Sequence, residues 1–125
     1  MILFVDTISQ NDKLVLALLK DGKVLNSSVV SIKGLSEQLL LNIEKFLNKN
    51  KVKFGALKKI AVCTGPGGFS NSRIAVATAN ALAWSLGISV TGVKRETIVK
   101  DLPSVLKKAK WGRATEPLYK YPAVV

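Results

Sequence analysis

Residues Ile60 to Leu86, IAVCTGPGGFSNSRIAVATANALAWSL, limit what this chain can fold into more than any other stretch. A short apolar run enters a Gly-Pro-Gly-Gly turn, and the turn opens an Ala-rich segment with helical spacing. Gly65, Gly67 and Gly68 allow positive φ and close backbone approach. With Pro66 they form the structural turn, and Ser70 is placed to cap the helix that follows. Strand, tight turn and helix in this order are the start of a parallel crossover unit.

On chemistry alone the turn has two readings. A glycine turn opening onto a helix N-terminus can hold an anion. It can equally be a tight strand-to-helix scaffold turn. A P-loop requires Lys beside the Ser, and here the residues are Asn71-Ser72-Arg73. The GxGxxG pattern with a downstream acid does not match either.

The helix carries more information. Ala75, Ala79 and Ala83 form one row of small side chains, and Ala77 and Ala81 a second. Ile74, Val76, Leu82, Trp84 and Leu86 add bulk in several directions. Such a helix asks for cover on most sides, and one sheet covers only one. The expectation is a partner helix from another chain or a second copy.

The remaining elements follow from pattern. Ile2 to Val5 is a short apolar run that suits a strand buried on both faces, ending at Asp6-Thr7. Leu14 to Leu19 and Lys23 to Ile32 flank Asp21-Gly22, the favoured two-residue hairpin turn. Leu39, Leu40, Ile43, Phe46 and Leu47 recur at helical spacing, predicting a helix from Leu35 to about Asn50 with Leu41 off the stripe. Lys59 to Cys63 and Ile88 to Val93 are the last strands, and Gly87 suits the C′ position of the long helix. Pro103 places the start of a late helix near Asp101-Leu102, and an extended tail follows Trp111-Gly112. Residues 1–93 form the core domain, and 94–125 supply the late helix and tail.

The chain has no histidine and one cysteine, Cys63, which excludes His-based triads, His general bases and cysteine-rich metal sites. No metal and no cofactor is expected. Met1 leads directly into a strand and no apolar run spans a bilayer, so a cytoplasmic protein without membrane contact is expected. The net charge of +11 implies anionic partners, or else a solvated lysine surface. Most lysines are scattered, and clustering appears only late, at Lys94, Arg95, Lys107, Lys108, Lys110 and Arg113. Of these, Lys107, Lys108, Lys110 and Arg113 are the candidate RNA contact.

The segment GPGGFSNSRIAVATANALAWSLGISVTGV resembles the GPGSFTGLRIG-type segment of the TsaB family, the non-catalytic partners of TsaD in threonylcarbamoyladenosine modification of tRNA. Ile2 to Thr7, Ser36-Glu37-Gln38-Leu39-Leu40 and the Glu116-Pro117-Leu118-Tyr119-Lys120 tail are similar to other family segments. The resemblance implies an α/β, ASKHA (actin-like, ribonuclease H-like) domain. Its five-strand mixed sheet would have the order 3-2-1-4-5, with two helices on one face. The late helix would cover the other face, with Leu102, Val105, Leu106 and Ala109 inward. Family members carry a second domain, which the late helix and tail would replace here.

The resemblance also implies a function. The chain would be a non-enzymatic subunit that docks its first two helices on those of a TsaD-like enzyme. Leu41, Arg73, Val76, Ala77, Asn80 and Trp84 are the candidate contacts. A TsaE-like ATPase, tRNA held through the complex, and a homodimer through the same helices are the further partners implied. Leu35, Asn71, Ser72 and Ala75 stand where the family commonly has His, Gly, Leu and Gly, which argues against nucleotide binding by this chain alone. Asp6 and Thr7 have two readings, a phosphate or metal site as in kin with ATPase activity, or a buried cap on the strand end, and the missing nucleotide signals favour the cap. The alternatives are a stand-alone basic RNA-binding domain and a nucleotide-binding enzyme fragment.

Overall fold

The computed structural model describes residues 1–10, 12–31, 35–66, 69–95, 97 and 99–116, with the side chains of 35–37 and 69–72 left aside. The elements are β1 (Ile2–Asp6), β2 (Lys13–Lys20), β3 (Lys23–Ser31), α1 (Leu35–Lys49), β4 (Lys59–Gly65), α2 (Phe69–Leu86), β5 (Ser89–Lys94) and α3 (Leu102–Lys107). The sheet order is β3-β2-β1-β4-β5. β1, β2 and β3 pair antiparallel in sequence, while β4 pairs parallel with both β1 and β5.

Local chemistry sets the boundaries. Asp21 and Gly22 take φ of 52° and 75°, as a two-residue hairpin turn between Lys20 and Lys23 requires. Gly87, at φ 67°, closes α2: its N–H donates to the Trp84 carbonyl at 3.2 Å and the Ile88 N–H to Ala83 at 2.9 Å. The same closure ends α1, where Val52 donates to Leu47 at 2.9 Å, but the residue at φ 58° there is Lys51. α2 begins at Phe69, so Ser70 lies inside the first turn and not at the N-cap.

Both parallel crossovers are made by helices, and both helices cover one face of the sheet. Leu3, Val5, Leu14, Leu16, Leu18, Ile60, Val62 and Val90 meet Leu39, Ile43, Phe46 and Leu47 of α1 and Ala75, Val76, Ala79 and Ala83 of α2. On the other face Phe4, Val15, Ala17, Leu19, Ala61 and Val93 meet Leu102 and Leu106 of α3. Right-handed crossover connections require this placement of α1 and α2. β1 and β4 are buried on both faces, which explains their unbroken apolar runs.

Three expected facings are corrected. Leu40 is 50% exposed, because it stands about 100° around the helix from Leu39 and the sheet reaches only the 39–43–46–47 stripe. Val105 is 38% exposed: α3 is less than two turns long and buries Leu102 and Leu106, one turn apart, against the sheet. Ala109, beyond the end of α3, is half-buried.

The chain beyond α3 wraps the free edge of β5. The Thr91 hydroxyl donates to the Lys110 carbonyl at 2.7 Å, and Val90 and Gly112 exchange backbone hydrogen bonds at 2.8 and 3.0 Å. The strap then reaches α2, where Asn80 bonds both backbone groups of Thr115. A parallel edge strand left open would present unpaired N–H and C=O groups, and this strap satisfies some of them.

Candidate partner interface and its surroundings

α2 presents Arg73, Ala77, Ala81 and Trp84 to the outside, spaced three to four residues apart along one line. Trp84 is 84% exposed. In the same helix layer, the first turns of α1 expose Leu40 and Leu41, each about half. A tryptophan and two leucines on the outer side of one helix layer, with small alanines beside them, permit close approach of another helix pair.

One expected contact, Val76, does not belong to this face. Val76 is 2% exposed and packs into the core beneath α2, because Ala75, Val76, Ala79 and Ala83 together form the stripe that meets the sheet. Asn80 lies at helical spacing with Arg73, Ala77 and Trp84, half-buried, and its side-chain amide bonds the backbone of Thr115. Periodicity alone does not separate these positions in a helix that is apolar all round. Leu40 was missed for the converse reason: it counts toward the core stripe in sequence and faces outward in space.

At the carboxyl ends of the central strands, Asp6 is buried and its Oδ1 accepts from the backbone N–H groups of Ile8 and Ser9 at 2.8 and 3.0 Å. One carboxylate oxygen is thereby occupied in holding the turn after β1, as a strand-end cap does. Cys63 lies next to it on β4. Burial, then the charge of Asp6, pushes the Cys63 thiol up to about 12. It is therefore a neutral thiol at physiological pH, the opposite of an activated nucleophile. Among the described residues no group of three or more His, Cys, Asp or Glu side chains is arranged to hold a metal.

Gly65 has φ of 110° and its peptide bond to Pro66 is cis. Its carbonyl accepts from the Arg95 N–H at 2.9 Å, which ties the turn to the end of β5. Gly67 and Gly68, and the side chain of Ser70, lie outside the described residues. Lys107, Lys108, Lys110 and Arg113 are all exposed, along α3 and the strap. α3 lies across the sheet from the α1–α2 layer, so Lys107 is remote from Trp84 and the helix face. Among the described residues no helix is long and apolar enough to cross a membrane.

The family model described as TsaD, tRNA N6-adenosine threonylcarbamoyltransferase, matches residues 28–98, more than half of the chain. The Bacillus subtilis tRNA threonylcarbamoyladenosine biosynthesis protein TsaB is 32% identical over 128 residues, covering 96% of this chain and 55% of that protein. A Mycoplasma pneumoniae uncharacterized protein, an MG208 homolog, is 32% identical over 73 residues, covering 58% of this chain and 37% of its own length. The chain thus spans about half or less of the length of these curated relatives. Among solved structures, YeaZ from Pseudomonas aeruginosa matches with a TM-score of 0.65 and 32% identity, over 74% of this chain and 43% of that one. RuvC of T. thermophilus, solved with a Holliday junction substrate, matches at 0.51 with 13% identity, over 74% of this chain and 63% of its own, and attests the ribonuclease H-like fold alone. With its sheet order, its glycine turn and these likenesses, the chain belongs to the threonylcarbamoyladenosine tRNA-modification family that the TsaD model describes, as a TsaB-like member.

Proposed function

We propose that this chain is a non-catalytic docking subunit in threonylcarbamoyladenosine modification of tRNA. It would act in the cytoplasm. Its α1–α2 layer binds a TsaD-like catalytic partner, with Leu40, Leu41, Arg73, Ala77 and Trp84 at the contact. The observation that carries this reading is the outward Trp84, 84% exposed near the end of α2, in the same helix layer as the half-exposed Leu40 and Leu41 of α1. An apolar helix layer of this kind is stable in water as half of an interface. The partner supplies the transfer chemistry, since this chain offers a protonated buried thiol, a turn-holding carboxylate and no histidine. Exposed Lys107, Lys108, Lys110 and Arg113 support tRNA contact across the sheet from the docking layer.

Co-expression with a TsaD-like enzyme tests the reading. A stable complex is expected, and tRNA modification that depends on adding this chain. Absence of a complex, or modification that is indifferent to the chain, overturns it. ATP hydrolysis by the isolated chain, abolished in Asp6→Ala, would instead establish an enzyme.

A further inference from the structure

The lysines that look scattered in sequence gather at one end of the sheet. Lys20 and Lys23 face each other across the hairpin turn, and Ile2 pairs with both Leu19 and Lys59 at the same end. Lys58 follows there, its N–H donating to the Met1 carbonyl at 2.8 Å. Lys51 and Lys53 arrive from the end of α1. Lys51 holds φ of 58°, the conformation that Gly87 takes at the equivalent end of α2. A long cationic side chain therefore occupies a position that favours glycine.

Within this pole is an open cavity of about 680 Å³ between the sheet and α3. Its floor is apolar, from Ile2, Leu19 and Leu106, and Trp111 forms one wall. Lys20, Lys59 and Lys107 stand around it against a single acid, Asp21. The Lys59 Nζ lies 4.7 Å from the centroid of the Trp111 ring, so an aromatic surface and a cation are already joined.

We propose that this cavity binds an unpaired nucleotide of RNA, with the base against Trp111 and the apolar floor and the flanking phosphates on Lys20, Lys59 and Lys107. An acidic peptide would use the lysines but leave the aromatic wall and apolar floor without a role. A planar base on a phosphate chain uses all three. The choice of RNA among polyanions rests on the tRNA-modification reading. The site itself stands on the cavity and its charges.

The test uses the isolated chain, so failure here leaves partner docking untouched, and failure to dock leaves this result untouched. Binding of a short fluorescent single-stranded RNA is titrated across salt concentrations. The triple variant Lys20→Ser, Lys59→Ser, Lys107→Ser is expected to bind about tenfold or more weakly, with the salt slope reduced by about 2. A control triple, Lys13→Ser, Lys45→Ser, Lys100→Ser, removes equal charge elsewhere and is expected to lose far less. Equal losses in the two triples overturn the site, as does failure of the wild-type chain to bind. Polyglutamate competing as well as RNA at equal charge overturns the assignment to RNA. In Trp84→Phe, Trp111 is the sole tryptophan, and its fluorescence is expected to be quenched as RNA saturates. Saturated binding without quenching overturns the placement of the base. Thermal melting of each variant separates lost binding from lost fold.

Discussion

The side chain of Asn80 pairs with the backbone of Thr115 as a neighbouring strand would: its Nδ2 donates to the Thr115 carbonyl at 2.8 Å and its Oδ1 accepts from the Thr115 N–H at 2.9 Å. One amide on α2 thus holds the end of a strap that began on the opposite face of the sheet. Asn80→Ala should release that strap. Two partly buried hydrogen bonds at about 1 kcal/mol each predict a loss near 2 kcal/mol. Hydrogen exchange should show the Thr115 amide losing protection while the β1 and β4 amides keep theirs.

Gly92 lies under the same strap. A Cβ there would stand 2.6 Å from Thr64 Cγ2 and 2.8 Å from Thr115 Oγ1, both on short β-branched side chains with little freedom to swing aside. Gly92→Ala should destabilise by about 1–3 kcal/mol. Adding Thr64→Ser, which removes the nearer methyl, should recover part of the loss in a thermal melt.

Cys63 gives a signed pH prediction. Its thiol is held near 12 in the folded chain against an ordinary value of 9.0. Between those values the folded state keeps a proton that the unfolded state releases. Stability should therefore fall as pH rises above about 9, by up to about 1.4 kcal/mol per unit from this group. Cys63→Ala should show a shallower alkaline decline. In the native chain the thiol should resist alkylation at neutral pH and react once denaturant is added.

Trp84→Ser and Leu41→Ser remove exposed apolar surface and should each leave stability within about 0.5 kcal/mol of the parent. Both should nonetheless weaken capture by a TsaD-like partner, Trp84→Ser by about tenfold or more, as a buried tryptophan anchor would. Val76→Ser reverses the pattern. Val76 lies in the core, so its substitution should lower the melting temperature before it affects docking.

Much of the architecture is legible in the residues because it is set locally. The Asp21-Gly22 turn, the Gly87 helix end and the apolar period of α1 depend on neighbours a few positions away. They place the elements, and right-handed crossovers place α1 and α2 on one face. The strand-end role of Asp6 is legible for the same reason, since it bonds residues two and three ahead.

By itself, then, the sequence determined the order and kind of the elements, the two-faced burial of the central strands and the family. Only the tertiary structure decided which way several side chains look: Leu40 and Val105 outward, Val76 inward, Asn80 onto the strap. It alone collected Lys20, Lys59 and Lys107 around Trp111 from positions far apart in the chain. The reason is geometric. A period of 3.6 names a stripe but not its width, and the width depends on how far the sheet beneath extends. Which distant lysines become neighbours depends on where strands and helices end, a property of the assembled layers and not of any segment.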